Sequence, residues 1–245
     1  MIQKVRRNRT LKISGCSIAS NIVNLDKPIM NEYEVFVKTI IRNYKVKYFE
    51  NPKIYSIPLN FKNEQIGRLR PIPIEIKGDA INDVTLQTKW RNMHKDSFLV
   101  EPFIATDERT LRWLNETYFT NDDRIIFMIE DIDHFCIGHL GFENFIYNEK
   151  KCEYGRLIRG VASPIERLKR VNIIKLAQIA FLNWGFNYLK LDMIYGTQFA
   201  DNWAVNKIHA ICGFTTVKEY PFEKNEGVVM LADKELKKEN FKLLS

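Results

Sequence analysis

From Gly78 onward the apolar and polar positions fall into well-separated periods. DVTLQTKWRNMHKDSFL, Asp83 to Leu99, spaces its apolar residues at helical intervals. ATDERTLRWLNETYF, Ala105 to Phe119, does so again, with Thr106 placed as an N-cap ahead of acidic residues. RIIFMIED and FCIGHLGFENF read as strands, and a polar break at NEKK leads into a third, CEYGRLIRG. Short polar turns between three successive strands predict an antiparallel meander. NIIKLAQIAFLNWGFNYLKL is the longest helical run, with Ile173, Ala177, Ala180, Phe181 and Trp184 on one side. MIYGTQF then predicts a buried strand, NWAVNKIHAICGF a short helix, and TTVKEYPF with GVVMLADKEL a terminal pair of strands.

Upstream of Gly78 the periods are less clear, and the proline-punctuated RLRPIPIEIKGD, Arg68 to Asp79, predicts a boundary. The expected organisation is a basic region at residues 1–77, an extension or small domain, followed by a domain at residues 78–245. Charge supports that division. Residues 1–77 hold 15 Lys and Arg against 6 Asp and Glu, a net +9, while the rest hold 22 against 24, a net −2. Such an asymmetry points the first third at an anion, whether nucleic acid, a nucleotide diphosphate or an acidic lipid surface, or else describes a solvated basic face.

Composition narrows the class. A chain of 245 residues with 45% hydrophobic residues has enough apolar side chains for a sizeable core. Cys16, Cys136, Cys152 and Cys212 are widely spaced with no CxxC pair, so neither a disulfide framework nor a thiolate metal site is expected. The basic MIQKVRRNRTLKISG leads into no apolar segment of signal-peptide length, and no run approaches the roughly 18 apolar residues of a membrane helix. The expectation is a cytoplasmic protein with no membrane partner and no metal. GxSxG, HExxH, GxxxxGK[ST] and GxGxxG are all absent, which weighs against hydrolase, zincin and nucleotide-hydrolase chemistry.

Three segments carry candidate chemistry. In NWAVNKIHAICGF, Asn202, Asn206, His209 and Gly213 fall within about 60° of one another on a helix turning 100° per residue. That polar stripe either lines a ligand groove or faces solvent above a glycine C-cap. In GVASPIERLKRVN, Arg167, Lys169 and Arg170 stand at the N-terminal side of the long helix, where cations oppose the helix dipole unless an anion docks there. In FCIGHLGFENF, strand alternation puts His139 and Glu143 on the same face, where either could serve as a general base or belong to a hydrogen-bond network.

The order of elements and the spacing of Asn202, Val205, His209, Gly213 and Phe214 resemble the GNAT superfamily of acyl-CoA-dependent N-acyltransferases. WRN at Trp90 to Asn92, IGHLGF at Ile137 to Phe142 and GRLIRG at Gly155 to Gly160 belong to the same resemblance, which spans about Gly78 to Ala232. It implies an α/β (α+β) fold, a GNAT-type mixed central sheet flanked by helices. It also implies direct attack of an amine on the thioester of acetyl-CoA or another acyl-CoA. Backbone N–H near Leu157 or Ile158 would meet the oxyanion. Leu157, Ile158, Arg159, Arg167, Lys169, Arg170, Asn172, Asn202 and Asn206 would line the cosubstrate. Two departures stand out. SPIERLKRVN has none of the glycines that usually wrap the pyrophosphate, and His209 replaces the tyrosine that usually protonates the departing thiolate. Histidine could give that proton, with an unperturbed pKa of about 6.5.

WRN followed by GRLIRG looks most like the branch that acylates amino sugars on nucleotides, as in bacterial surface polysaccharide synthesis. Trp90, Arg91 and Asn92 would then contact a nucleotide-sugar acceptor, the basic first third its diphosphate, and a homodimer would be a common state. The competing expectations are a protein or ribosomal-protein N-acetyltransferase and a non-catalytic acyl-CoA or nucleic-acid-binding module. Nucleic acid has little specific support, since neither an RNP-like run nor helix-turn-helix spacing is present.

Overall fold

A computed structural model describes residues 31–99, 103–224 and 227–242. Asn31 opens helix α1, Glu32–Lys47, by accepting from the Tyr33 amide, with Glu32 and Glu34 in the first turn and Lys45 and Lys47 in the last. Val37, Ile41 and Tyr44, at helical spacing, form its buried face. Strands β1 (Ile57–Phe61) and β2 (Glu64–Pro71) follow as a hairpin. Its two loop residues, Lys62 and Asn63, both have positive φ, the geometry a tight hairpin turn demands.

Helices α2 (Asp83–Met93) and α3 (Asp107–Trp113) come next, with Thr106 capping α3 as its sequence predicts. Strands β3 (Ile125–Asp131), β4 (Cys136–Ile146) and β5 (Lys151–Arg159) form the expected antiparallel meander. Helix α4 (Ile173–Asn187) crosses to β6 (Met193–Phe199), which runs parallel to β5. Helix α5 (Trp203–Cys212) precedes the hairpin β7 (Thr215–Lys224) and β8 (Gly227–Lys237). The eight strands make one mixed sheet in the order β1-β2-β3-β4-β5-β6-β8-β7.

Strand β3 is buried along its whole length because both faces of the sheet are covered. Ile125, Phe127 and Ile129 point into a core built with α1 and α4, where Trp184 Nε1 donates to Tyr44 Oη at 3.0 Å. Ile126 and Met128 point the other way, into a smaller core with Trp90 of α2, Leu114 and Tyr118.

The division expected at Gly78 does not coincide with a structural one. Residues from Asn31 onward form a single unit, with β1 and β2 paired into the main sheet. Part of the positive charge assigned to a ligand-facing region is spent inside this unit. Arg70 is fully buried and bonded to Asp83 and Glu130. The equally buried Lys45 donates to the carbonyls of Tyr118 and Asn121 at 2.8 and 2.7 Å. The basic segment within residues 1–30 lies outside the described residues. No helix among the described residues is long and apolar enough to cross a membrane.

Candidate functional site

Strands β5 and β6 pair over only three residues, Lys151, Cys152 and Glu153 with Met193, Ile194 and Tyr195. At the next step they are still close, since a Cβ at Gly196 would lie 2.8 Å from the Tyr154 carbonyl oxygen. Beyond that point the ladder ends, although β5 continues to Arg159 and β6 to Phe199. On its other side β5 carries a bulge. His139 pairs with Ile158 and Gly141 with Gly155, so Arg156 and Leu157 together oppose Leu140, and Arg156 takes a φ of 53°. A bulge leaves its extra residue outside the ladder and re-aims the neighbouring side chain. This places unpaired backbone around Leu157 beside the parting of the strands, where the family resemblance implies an oxyanion contact. Ile158 is buried in the smaller core, and Arg159 is exposed.

The far end of β5 is tied to α2. A Cβ at Gly160 would run into the indole of Trp90, and the Arg159 carbonyl oxygen lies 2.7 Å from His94 Nε2. Beyond Gly160 a cleft of about 280 Å³ opens between the end of β5 and the start of α4, lined by Arg159, Ser163, Arg170, Asn172 and Ile173 among others. Ser163 is buried and donates to Asp131 Oδ2 at 2.6 Å, while its own oxygen accepts from the Ile165 amide. That link fixes a loop without the glycines that would otherwise shape it. Arg170 is exposed at the cleft, and Asn172 caps α4 by accepting from the Lys175 amide at 3.0 Å. Arg167 and Lys169 belong to the same short 3-10 segment, and their side chains are outside those described.

Helix α5 stands beside the parting strands. Asn202 is its N-cap, accepting from the Val205 amide, and Asn206 bonds Gln198 of β6 and the Ala200 carbonyl. Both asparagines thus have structural duties that the polar stripe conceals. Gly213 closes the helix at φ 98°, as the glycine-cap reading has it. His209 is buried, stacked on Phe214 at 4.3 Å, and neither ring nitrogen has a hydrogen-bond partner. Burial, with Lys234 adding, lowers its pKa to about 4. The expectation that His209 gives a proton to the departing thiolate therefore concerns a neutral ring. At neutral pH the ring is neutral and offers one N–H as a hydrogen-bond donor.

Tyr154 was not singled out by the sequence. Its ring lies 5.9 Å from that of His209, its hydroxyl is buried without a partner, and its backbone marks the point where β5 and β6 separate. In sequence it is one more aromatic on a buried strand face, and only the cross-strand geometry distinguishes it.

The two candidate bases are compromised. Glu143 Oε2 accepts from Arg156 Nη2 at 2.9 Å and Nε at 3.1 Å, with Arg124 at 3.9 Å, so its carboxylate is held by guanidinium groups. His139 is buried against Trp90, and burial first, then the charge of Arg156, lowers its pKa to about 3. It is neutral, with Nδ1 unpartnered. His139 and His209 belong to opposite faces of the sheet, the first with the α2 side and the second with the α4 side.

The expected acceptor triplet divides three ways. Trp90 is fully buried and packs rather than presenting itself to a substrate, although its indole N–H lacks a partner. Asn92 clamps Ala105, donating to its carbonyl at 2.9 Å and accepting from its amide at 2.8 Å. Arg91 alone remains available, held between Phe98 and Phe103 at 4.1 and 4.4 Å from their ring centroids. Elsewhere Asp79, Glu130 and His134 come close enough to suggest a cation site, but Arg68 contacts all three and supplies the positive charge itself.

No family model matches the chain, and no curated protein matches it by sequence. Solved structures do. Spermidine N-acetyltransferase from Vibrio cholerae in complex with CoA and spermine aligns with a TM-score of 0.55 and 18% identity, covering 70% of this chain and 95% of that one. Mutant forms of the spermidine/spermine N-acetyltransferase SpeG from the same organism align at 0.54 and 15%, covering 70% and 93%. The mixed eight-stranded sheet with its flanking helices is the GNAT fold.

Proposed function

We propose that this chain is an acyl-CoA-dependent N-acyltransferase that moves an acetyl or other short acyl group to an amine by direct attack. The observation that carries this reading is the parting of β5 and β6 after three residue pairs, beside a bulge on β5, in a fold shared with acetyltransferases. The residues suit a pantetheine thioester. Unpaired backbone of the parted strands gives hydrogen-bonding partners to its amides, and the cleft at the start of α4 suits a pyrophosphate. Backbone N–H near Leu157 meets the carbonyl oxygen as it gains charge, stabilising it without reorganisation.

The incoming amine attacks the carbonyl carbon as its free base, and the carbon–sulfur bond breaks. His209 and Tyr154 supply N–H and O–H groups from the same partnerless pair to the departing sulfur. With Glu143 clamped by Arg156, the ammonium proton leaves through water. The acceptor we favour is an amino-deoxy sugar linked to a nucleotide. The spermidine N-acetyltransferase structure was solved with spermine, a polycation, whereas here Glu143, beside the bulge, is already held by Arg156.

The test is release of free thiol from acetyl-CoA with a panel of amino-sugar nucleotides and spermidine. Turnover with an N-acetylated product is expected. Tyr154→Phe and His209→Gln should each lower kcat roughly 10- to 100-fold, with little change in the KM for acetyl-CoA. No thiol release with any amine would sink the reading.

A further inference from the structure

On the α2–α3 side of the bulge lies positive charge with no carboxylate paired to it among the described residues. Arg91 lies 4.4 Å from the centroid of Phe103, and Arg109 lies 3.8 Å from the same ring. Two guanidinium groups therefore share one phenyl. Among the described residues neither has a carboxylate within ion-pair distance. Asp107, in the first turn of α3, accepts from Thr85 Oγ1 at 2.7 Å instead.

A third guanidinium, Arg156, sits on the bulge itself, 4.5 Å from the Trp113 ring and bonded to Glu143. Burial, then the charges of Arg156 and Arg109, lower the pKa of Arg91, so the three groups feel one another. The rings give each cation a favourable face and hold the planar forks in place. They do not cancel the repulsion between like charges. An oxyanion with two acceptor oxygens would.

We propose that Arg91 and Arg109 bind an anionic group, a phosphate or a carboxylate, carried by the acceptor amine, and so select against polyamines. This assignment rests on the acyl-transfer reading and says which part of the acceptor is recognised and by what. Continuity with the site comes through α2. Arg91 follows Trp90, whose indole packs on Gly160 at the end of β5, and lies near enough to Arg156 on the bulge to feel its charge.

The experiment compares thiol release with glucosamine, glucosamine 6-phosphate, a uridine-diphosphate-linked amino sugar, glutamate and spermidine as acceptors. An anion-bearing amine should exceed both glucosamine and spermidine, the two phosphate acceptors and glutamate telling phosphate from carboxylate. Arg91→Gln and Arg109→Gln should raise its KM by about 10- to 100-fold, as loss of a charge-assisted hydrogen bond does, while leaving the KM for acetyl-CoA unchanged. Arg91→Lys, which keeps the charge and the packing stem, should recover part of that loss. A preference for spermidine, or an acceptor KM indifferent to both substitutions, overturns the proposal. If no amine releases thiol, the acyl-transfer reading fails and the anion site is judged alone, by equilibrium binding of uridine diphosphate with CoA saturating. Binding about tenfold weaker in the double variant than in the unsubstituted protein sustains the site, and equal binding overturns it.

Discussion

Burial sets the charge state of both histidines, and stability should therefore depend on pH in a definite direction. His209 and His139 have folded-state pKa values of about 4 and 3, below the unfolded value near 6.5. Between those values the unfolded chain binds more protons than the folded one, so stability is full above about pH 6.5 and falls as pH drops. From pH 6.5 to 5 each histidine should cost about 2 kcal/mol. Urea titrations at pH 7 and 5 should show this loss, and His209→Phe should remove about half of it. An identical loss in the variant would mean that the ring is protonated in the folded state. The face shared by His209 and Gly213 was legible in helical spacing, but the neutrality of the ring was not, because Phe214 and Tyr154 create it from other elements. Glu143 shows the same limit. Alternation on one strand set it beside His139, while its actual partner, Arg156, arrives from the next strand at a left-handed residue that no strand period reveals.

The elements from α2 to β8 were legible because each completes its own period. Their fastenings were not. Asn172 and Asn202, which the resemblance makes cosubstrate contacts, also serve as N-caps, a role that their place immediately before a helical run already signals. The bulge on β5 leaves no mark in GRLIR, since it arises from pairing with β4. The contact between α2 and β5 is the most exacting of these fastenings. Gly160→Ala would set a methyl into the Trp90 indole, which is fully buried and has nowhere to shift. Overpacking of this kind costs about 1–3 kcal/mol, readable as a lower urea midpoint. Trp90→Phe on the same background, by trimming the indole, should restore part of it. A fully stable Gly160→Ala protein would show that the contact is soft.

At the scale of the molecule, helix α1 and the β1–β2 hairpin were obscured by prolines and by charges that are buried in pairs. Arg70 reads as surface until Asp83 and Glu130 close around it. A chain beginning at Gly78 should therefore fail to fold. It would expose Ile125, Phe127 and Ile129 on the α1 side and leave Asp83 and Glu130 buried without their cation. Circular dichroism and amide dispersion should report a collapsed or unfolded chain, and a cooperative transition like that of the whole protein would disprove the integration of residues 31–77. The sheet itself joins strands β1 to β5 to strands β6, β8 and β7 through three residue pairs. Mechanically these are two plates sharing a short seam. A cosubstrate arm lying in the open part of that seam would complete the backbone hydrogen bonding that the strands leave undone. Occupancy would then stiffen the whole sheet, making the substrate a temporary ninth strand.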